Sequence, residues 1–372
     1  MSMEKNNQRL MSIDALRGLD MLFIMGFSSL VIAVCSLFPE GADCWLARTM
    51  VHVKWNGLAH HDTIFPLFLF LAGISFPFSY AKLQTAHTSK GKIYLKIFKR
   101  ALILICLGLL YNGILKFEMA NIRICSVLGR IGIAWMCAAL LYINFKISTR
   151  AVIATSILIG YWLILRFIPA PDMTPADPYS LEGNLVGHID RLITPGRLYV
   201  KNMFDPEGLL STIPAIVTAM LGIFTGEFIR IPDENVSGVR KTLYMAMSAI
   251  ILLATGLLWN LVFPINKSLW SSSFVLTVGA YSVGLFAIFY YIIDVRKWQK
   301  WTLFFRVIGM NSITIYMAQK IINFNNANNF FFKGIAERLP DQWEAVVMKL
   351  GYIIICWLFL YILYRKKIFL KV

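Results

Sequence analysis

Charged side chains are scarce in this sequence. Asp, Glu, Lys and Arg make up 15% of its 372 residues, where an average soluble domain carries about 25%. The shortage excludes a disordered chain, which needs charge and polarity to stay unfolded. It also excludes an ordinary soluble globule. Acids are the scarcer sign, 20 against 36 Lys and Arg. Cysteine is sparse too: six residues with no C-x-x-C pair, so neither a zinc ribbon nor a disulfide framework is indicated. No G-x-x-x-x-G-K-[ST], G-x-S-x-G or H-E-x-x-H occurs, which removes the sequence grounds for a P-loop, an α/β-hydrolase or a zincin.

Apolar side chains are abundant. Hydrophobic residues are 58% of the chain and mean hydropathy is +0.65. This composition is that of an integral membrane protein. A helical span needs roughly 20 mostly apolar residues. Ten such runs are present, about 15–38, 62–83, 98–115, 124–145, 150–169, 207–229, 242–263, 271–293, 303–323 and 345–364. The expectation is one all-α polytopic bundle of about ten transmembrane helices, a single domain over residues 1–372. The first run carries Asp14, Arg17 and Asp20 and has no small-residue cleavage site before Glu40, so it reads as a span rather than a cleaved signal. No internal repeat, low-complexity tract or pair of interrupted helices of the inverted-repeat transporter kind is evident.

Ten spans put both termini on one side. That side, with its loops, carries 22 Lys and Arg and 7 acids; the other carries 12 and 13, and Arg130 and Lys320 fall within spans. Cytoplasmic loops retain Lys and Arg, so both termini are expected in the cytoplasm of a multi-pass inner-membrane protein. The concentration of charge on one face also accounts for the sequence pI of 9.6 without a nucleic-acid partner. Residues 39–61, 116–123, 170–206, 264–270 and 324–344 are then the outward segments, and 170–206 is long for a loop. Cys106, Cys125, Cys137 and Cys356 lie in apolar runs and read as core residues. Cys35 and Cys44 lie near the outer face and would pair if that face is oxidising.

Polar chemistry collects in few places. Three of the five histidines fall within ten residues, His52, His60 and His61, followed by Asp62, in the first outward segment. Histidine is the usual general base near neutral pH, and a carboxylate beside it fixes its tautomer. The plainer reading is that the histidines are wetted interface residues and Asp62 caps a helix. A metal is a third reading, disfavoured because adjacent His60 and His61 do not share a helix face. Arg123 and Arg130 are seven apart, two turns on one face of the fourth run. An intramembrane Arg130 is either functional or a structural ion pair. Asn311, Gln319 and Lys320 interrupt the ninth run, where buried amides bond neighbouring helices. Ser271–Ser273 follow Trp270 at an outward helix start, a good cap and a plausible polar lining.

Six stretches, taken in order from residue 12 to about 320, resemble the transmembrane acyltransferases related to heparan-α-glucosaminide N-acetyltransferase. They are S-I-D-A-L-R-G-L-D from Ser12; H-x-x-W-N-G-L from His52 with D-x-x-F-P-x-F from Asp62; R-x-x-x-V-L-G-R-I from Arg123; D-P-E-G-L-L-S-T-I from Asp205; F-P-I-N-K-S-L-W-S-S-S from Phe263; and G-M-N-S from Gly309. The resemblance implies a membrane acetyltransferase that takes acetyl-CoA as co-substrate from the cytoplasm, without a metal, and transfers the acetyl group to the amine of an extracytoplasmic amino sugar such as glucosamine. It implies His52 as the catalytic residue with Asp62 as its carboxylate, and a homodimer. Residues expected to hold acetyl-CoA are Arg17, Lys99, Arg100 and Arg240 at the basic face, and Arg123, Arg130 and Asn311 along the pantetheine path. Trp55, Asn56, Lys267 and Ser271 are the acceptor-binding candidates. The rival class is a proton-coupled transporter of an amino sugar or cell-wall fragment, whose intramembrane charges would serve equally; a third is a binding or structural membrane subunit.

Overall fold

The computed structural model describes residues 10–118, 121–172, 177–200 and 203–370; of the long segment 170–206, residues 173–176 and 201–202 thus lie outside the described residues. Among the described residues there is no strand, only isolated bridges of Arg123 with Gly196 and Val200 with Phe204. In chain order the helices are α1 Met11–Leu22, α2 Ser28–Cys35, α3 Trp45–Thr49, α4 His60–Thr85, α5 Lys90–Tyr111, α6 Val127–Asn144, α7 Ile147–Phe167, α8 Leu185–Ile193, α9 Leu209–Ile229 and α10 Gly238–Trp259. There follow α11 Ser272–Phe289, α12 Leu303–Gly309, α13 Ser312–Ile321, α14 Phe324–Ala336 and α15 Asp341–Arg365.

Eight stretches are long and apolar enough to cross a membrane: Met11–Cys35, α4, α6, α7, α9, α10, Ser272–Val295 and α15. Two of the ten expected runs differ. The run 98–115 lies in α5, whose first turns carry lysines. The run 303–323 is not one helix. It breaks at Met310 and Asn311, where the Asn311 backbone leaves the helical region at φ −125° and ψ 28°. Its side chain ties the break to the C-terminal segment: Nδ2 donates to Ile368 O at 3.2 Å and Oδ1 accepts from Thr314 Oγ1 at 3.3 Å.

Beyond that break, α13 and then α14 run along α15 in the opposite direction. Gln319 Nε2 donates to Tyr352 Oη at 3.2 Å, Phe324 meets Phe359 with centroids 5.4 Å apart, and Asn328 Nδ2 donates to Met348 O at 3.0 Å. The segment 324–344, expected as a loop, therefore contains a helix. Two further interruptions, which hydropathy gave no reason to expect, lie between α13 and α14 at Ile322 and Asn323 and between α1 and α2. There Phe23–Phe27 forms a wide i→i+5 turn and Gly26 adopts φ +124°, a conformation open to glycine and strained for other residues.

The helices α4, α9 and α11 are two-thirds buried and central, whereas α7, α10 and α15 leave most of their surface to lipid. Lipid tails are as apolar as leucine, so close packing of small residues holds helices together. Gly222 and Gly226, a G-x-x-x-G pair on α9, face α4: a Cβ on Gly222 would run into Phe70 O, and one on Gly73 of α4 into Ala219 O. The antiparallel pair α5 and α6 packs through Gly108 against Ser126 and Gly132 against Ala101. In the same way α1 meets α12 through Gly18 and Gly309. All six cysteines, Cys35 and Cys44 included, are free.

Candidate active site

The central helices α4, α9 and α11 begin at one end of the bundle, joined there by the segments before them. Gly57 N donates to Ile265 O at 2.8 Å, made accessible by the φ of +120° at Gly57. Asn266 Nδ2 donates to Asn56 Oδ1 at 3.0 Å, and Trp55 packs edge-on against Phe204 at 5.7 Å. The positive ends of three helix dipoles therefore converge on one region.

Asp62 sits in the first turn of α4, and its two oxygens do different work. Oδ2 accepts from Ala59 N at 3.1 Å and from Val53 N at 3.4 Å, which caps the helix. Oδ1 lies 2.6 Å from His52 Nδ1. An ionised carboxylate only accepts, so at this distance the imidazole carries its proton on Nδ1 and donates it. The Nε2 lone pair is then available. Asp62 is 1% exposed at its side chain and His52 54% exposed, so a buried carboxylate orients an imidazole that opens to the outside. Asp62 therefore meets the N–H groups at the helix start and the His52 ring with different oxygens.

Lys267 completes a triangle, with Nζ 3.1 Å from His52 Nδ1 and 3.4 Å from Asp62 Oδ1. Burial holds its ammonium below the usual lysine range, and the Asp62 carboxylate opposes that shift. The loop that carries it is rigid. Asn266 is fully buried, its Oδ1 accepts from Leu269 N at 2.8 Å and its own N–H donates to Ser271 Oγ at 3.0 Å. Ser271 also caps α11 by accepting from Phe274 N, so this serine, expected as an acceptor contact, is fully buried beneath the loop. Trp55 likewise spends its Nε1–H on Tyr179 O at 2.7 Å. Of the acceptor candidates, Lys267 lies beside His52; Asn56 supports the loop through Asn266, a residue that sequence reasoning passed over in favour of its neighbour. The His61 ring lies tilted 4.5 Å from the His52 ring and shares a hydrogen bond with Ser28 Oγ at 3.1 Å, while His60 Nε2 lies 3.2 Å from Tyr281 Oη. Among the described residues no three His, Cys, Asp or Glu side chains form a metal-binding group.

Arg123 does not lie on α6. That helix begins at Val127 behind the Ser126 cap, and Arg123 belongs to the bridged segment before it. It still reaches the same region as Arg130. Its guanidinium grips Asp205 through two bonds of 2.6 and 2.7 Å, pairs with Glu207 and covers the Tyr199 ring. These carboxylates hold its basicity above the usual range. Asp190, which the sequence did not single out, braces the carboxylate segment by accepting from Asp205 N and Leu209 N at 3.3 and 3.2 Å; burial pushes its pKa up to about 7. Arg130 is buried, bonds Ser211 Oγ and Gly208 O, and lies 5.0 Å over Trp270. Its Nε and Nη1 have no partner among the described residues, so a buried cation retains two N–H donors for a ligand carbonyl.

At the opposite end, Arg17 lies 3.7 Å from Asp14 and donates to Ser75 Oγ on α4 at 3.2 Å. Arg100 stacks 4.0 Å over Trp135 with its Nε unpartnered, as is the Nε of Arg306, a residue not picked out from sequence. Lys99 and Arg240 are exposed. Asn311 spends its amide on the C-terminal segment, as described above.

No protein-family model matches the chain. Over 98% of its length it is 28% identical to the heparan-alpha-glucosaminide N-acetyltransferase of Homo sapiens, and equally to that of Mus musculus. It spans 60% of the length of each of these relatives.

Proposed function

From its relationship to the heparan-alpha-glucosaminide N-acetyltransferases, we propose that the chain is a membrane acetyltransferase. It moves an acetyl group from cytoplasmic acetyl-CoA to the amine of an amino sugar, glucosamine or a glucosamine-ended glycan, on the far side of the membrane. The observation that carries this reading is the 2.6 Å contact of His52 with Asp62 at an end of the bundle where three helices begin. Ten crossings complete the arrangement, with α5 as the third and α13 with α14 as the ninth. Both termini are cytoplasmic, on the face that holds the excess of Lys and Arg.

In the direct route, His52 Nε2 takes a proton from the attacking amine as nitrogen bonds to the thioester carbonyl; the C–S bond then breaks and CoA leaves as the thiol, carrying off the proton that Nε2 accepted. In the two-step route Nε2 attacks first, the C–S bond breaks, and the acetyl-imidazole passes its acetyl group to the amine. Either way Nδ1–H remains on Asp62, which stabilises the positive imidazole. The helix N-termini and Lys267 oppose the charge that develops on the carbonyl oxygen. Arg17, Lys99 and Arg100, with Arg306 added, suit the phosphates of the donor, and the unpartnered N–H groups of Arg130 suit a pantetheine amide.

The test uses purified protein in detergent with acetyl-CoA and glucosamine, reading free CoA thiol. Release is expected. His52→Ala is expected to abolish it, and Asp62→Asn to slow it by about 10²–10⁴-fold. No release above background with any amino sugar sinks the reading. The interrupted helices favour one rival, proton-coupled transport of an amino sugar or cell-wall fragment, since broken helices often build transport sites. Radiolabelled sugar that accumulates unmodified in vesicles lacking CoA would mark that rival.

A further inference from the structure

The interruptions between α1 and α2 and between α13 and α14 face the same space. A cavity of about 470 Å³ opens between the wide turn at Gly26, the end of α13, the start of α14 and the facing turns of α15. This is within the usual range for a small-molecule site, roughly 300–1,000 Å³. Its polar wall is built almost wholly from carboxamides and hydroxyls: Gln319, Asn325, Asn328 and Asn329, with Ser29 and Tyr352. Three of the amides come from one short tract, F-N-N-A-N-N, in which the helix period brings positions 325, 328 and 329 to one face. Asparagine is a poor helix former, so local folding does not account for the tract. Asn328 is 3% exposed, donates from Nδ2 to Met348 O, and leaves Oδ1 without a partner among the described residues. That oxygen is packed toward Gly351 of α15, so Asn328 fixes the wall while the exposed Asn325 and Asn329 keep their amides open to a ligand.

The wall defines the ligand class. It contains no carboxylate, histidine or cysteine, so it offers nothing to a divalent cation. Lys349, exposed at the edge, is the one charged lining residue, too little for a phosphate group. The lining is too polar for an acyl chain. Carboxamides present a donor and an acceptor side by side, which matches the adjacent hydroxyls of a sugar ring, and Met25, Met348 and the Tyr352 ring supply apolar surface for its C–H face.

The cavity adjoins the candidate active site along α2. Ser29 lines it, while the preceding Ser28 bonds His61, whose ring lies 4.5 Å from that of His52. We propose that this amide-lined cavity is a saccharide-binding site that holds an uncharged sugar unit of the acceptor next to the one whose amine reacts. It rests on the acetyltransferase reading for the word acceptor, and on the cavity alone for the sugar.

The experiment uses the full chain in detergent with two probes, glucosamine and a disaccharide in which glucosamine is β-1,4-linked to N-acetylglucosamine, an uncharged unit. Binding is measured by calorimetry on His52→Ala protein, and KM is measured on the active protein. Asn328 packs against Gly351 and Met348, so the variants are Asn325→Ala, Asn329→Ala and Gln319→Leu, with thermal unfolding as a control for folding. The disaccharide is expected to bind more tightly than glucosamine. Each variant is expected to weaken the disaccharide roughly 3- to 10-fold, the loss of one neutral hydrogen bond, and to leave glucosamine unchanged. If folded variants bind both probes as the parent does, or if the disaccharide has no advantage, the proposal is overturned. Absence of CoA release with intact, variant-sensitive disaccharide binding would overturn the acetyltransferase reading and leave the sugar site standing.

Discussion

At the scale of single residues, the distribution of protons is set by burial. Asp190 is fully enclosed and its pKa is pushed up to about 7, against about 3.9 for an unperturbed Asp. Its folded form therefore binds a proton more tightly than its unfolded form. The resulting stability is complete below about pH 4 and is lost as pH rises through 7. Thermal unfolding of the detergent-solubilised protein is expected to show a midpoint that falls between pH 4 and 7, and Asp190→Asn to flatten that dependence; an unchanged slope in the variant would remove Asp190 as its source. The residue shows what a sequence discloses. His52 and Asp62 were legible because they are ten apart within one dense polar stretch. Asp190 was not, because the groups it braces, Asp205 N and Leu209 N, come together only through the fold. Asn266 and Asn56 are separated by 210 positions, and nothing local marks them as partners.

Elements follow the sequence where hydropathy and backbone agree. The runs that became α4, α6, α7, α9, α10, α11 and α15 were readable from their length and apolarity. The run at 303–323 was not, because an averaging window does not register that one asparagine at 311 ends a helix. The Asn-rich tract was read as a loop for the converse reason: polarity concealed a helix whose Asn face lines a cavity. Between elements, fit decides. A side chain on Gly222 would meet backbone of α4, which cannot yield, so Gly222→Leu is expected to destabilise by about 3 kcal/mol or more. Gly160→Ala and Gly334→Ala, with nothing within 4 Å of the added carbon, are expected to be neutral or mildly stabilising. Unfolding midpoints in detergent compare the three; equal behaviour would mean that α4 and α9 do not meet as described.

For the molecule as a whole, orientation is the property on which the proposed chemistry depends. With Cys44→Ser as background, a cysteine at exposed Lys116 is expected to react with a membrane-impermeant maleimide from outside intact cells, and one at Lys367 only after permeabilisation. The reverse pattern would place His52 on the donor's own side and leave nothing to carry across. The convergence of α4, α9 and α11 has a further consequence for what arrives there. Three aligned peptide stacks direct their electropositive tips at the entrance, and a lysine stands beside them. The Asp62 carboxylate offsets the lysine, and the helix ends that remain disfavour an ammonium ion. On the proposed reading, an aminated acceptor is therefore expected to dock as its free base, having given its extra hydrogen ion to the surrounding water, and alkalinity on that side governs how much of it there is.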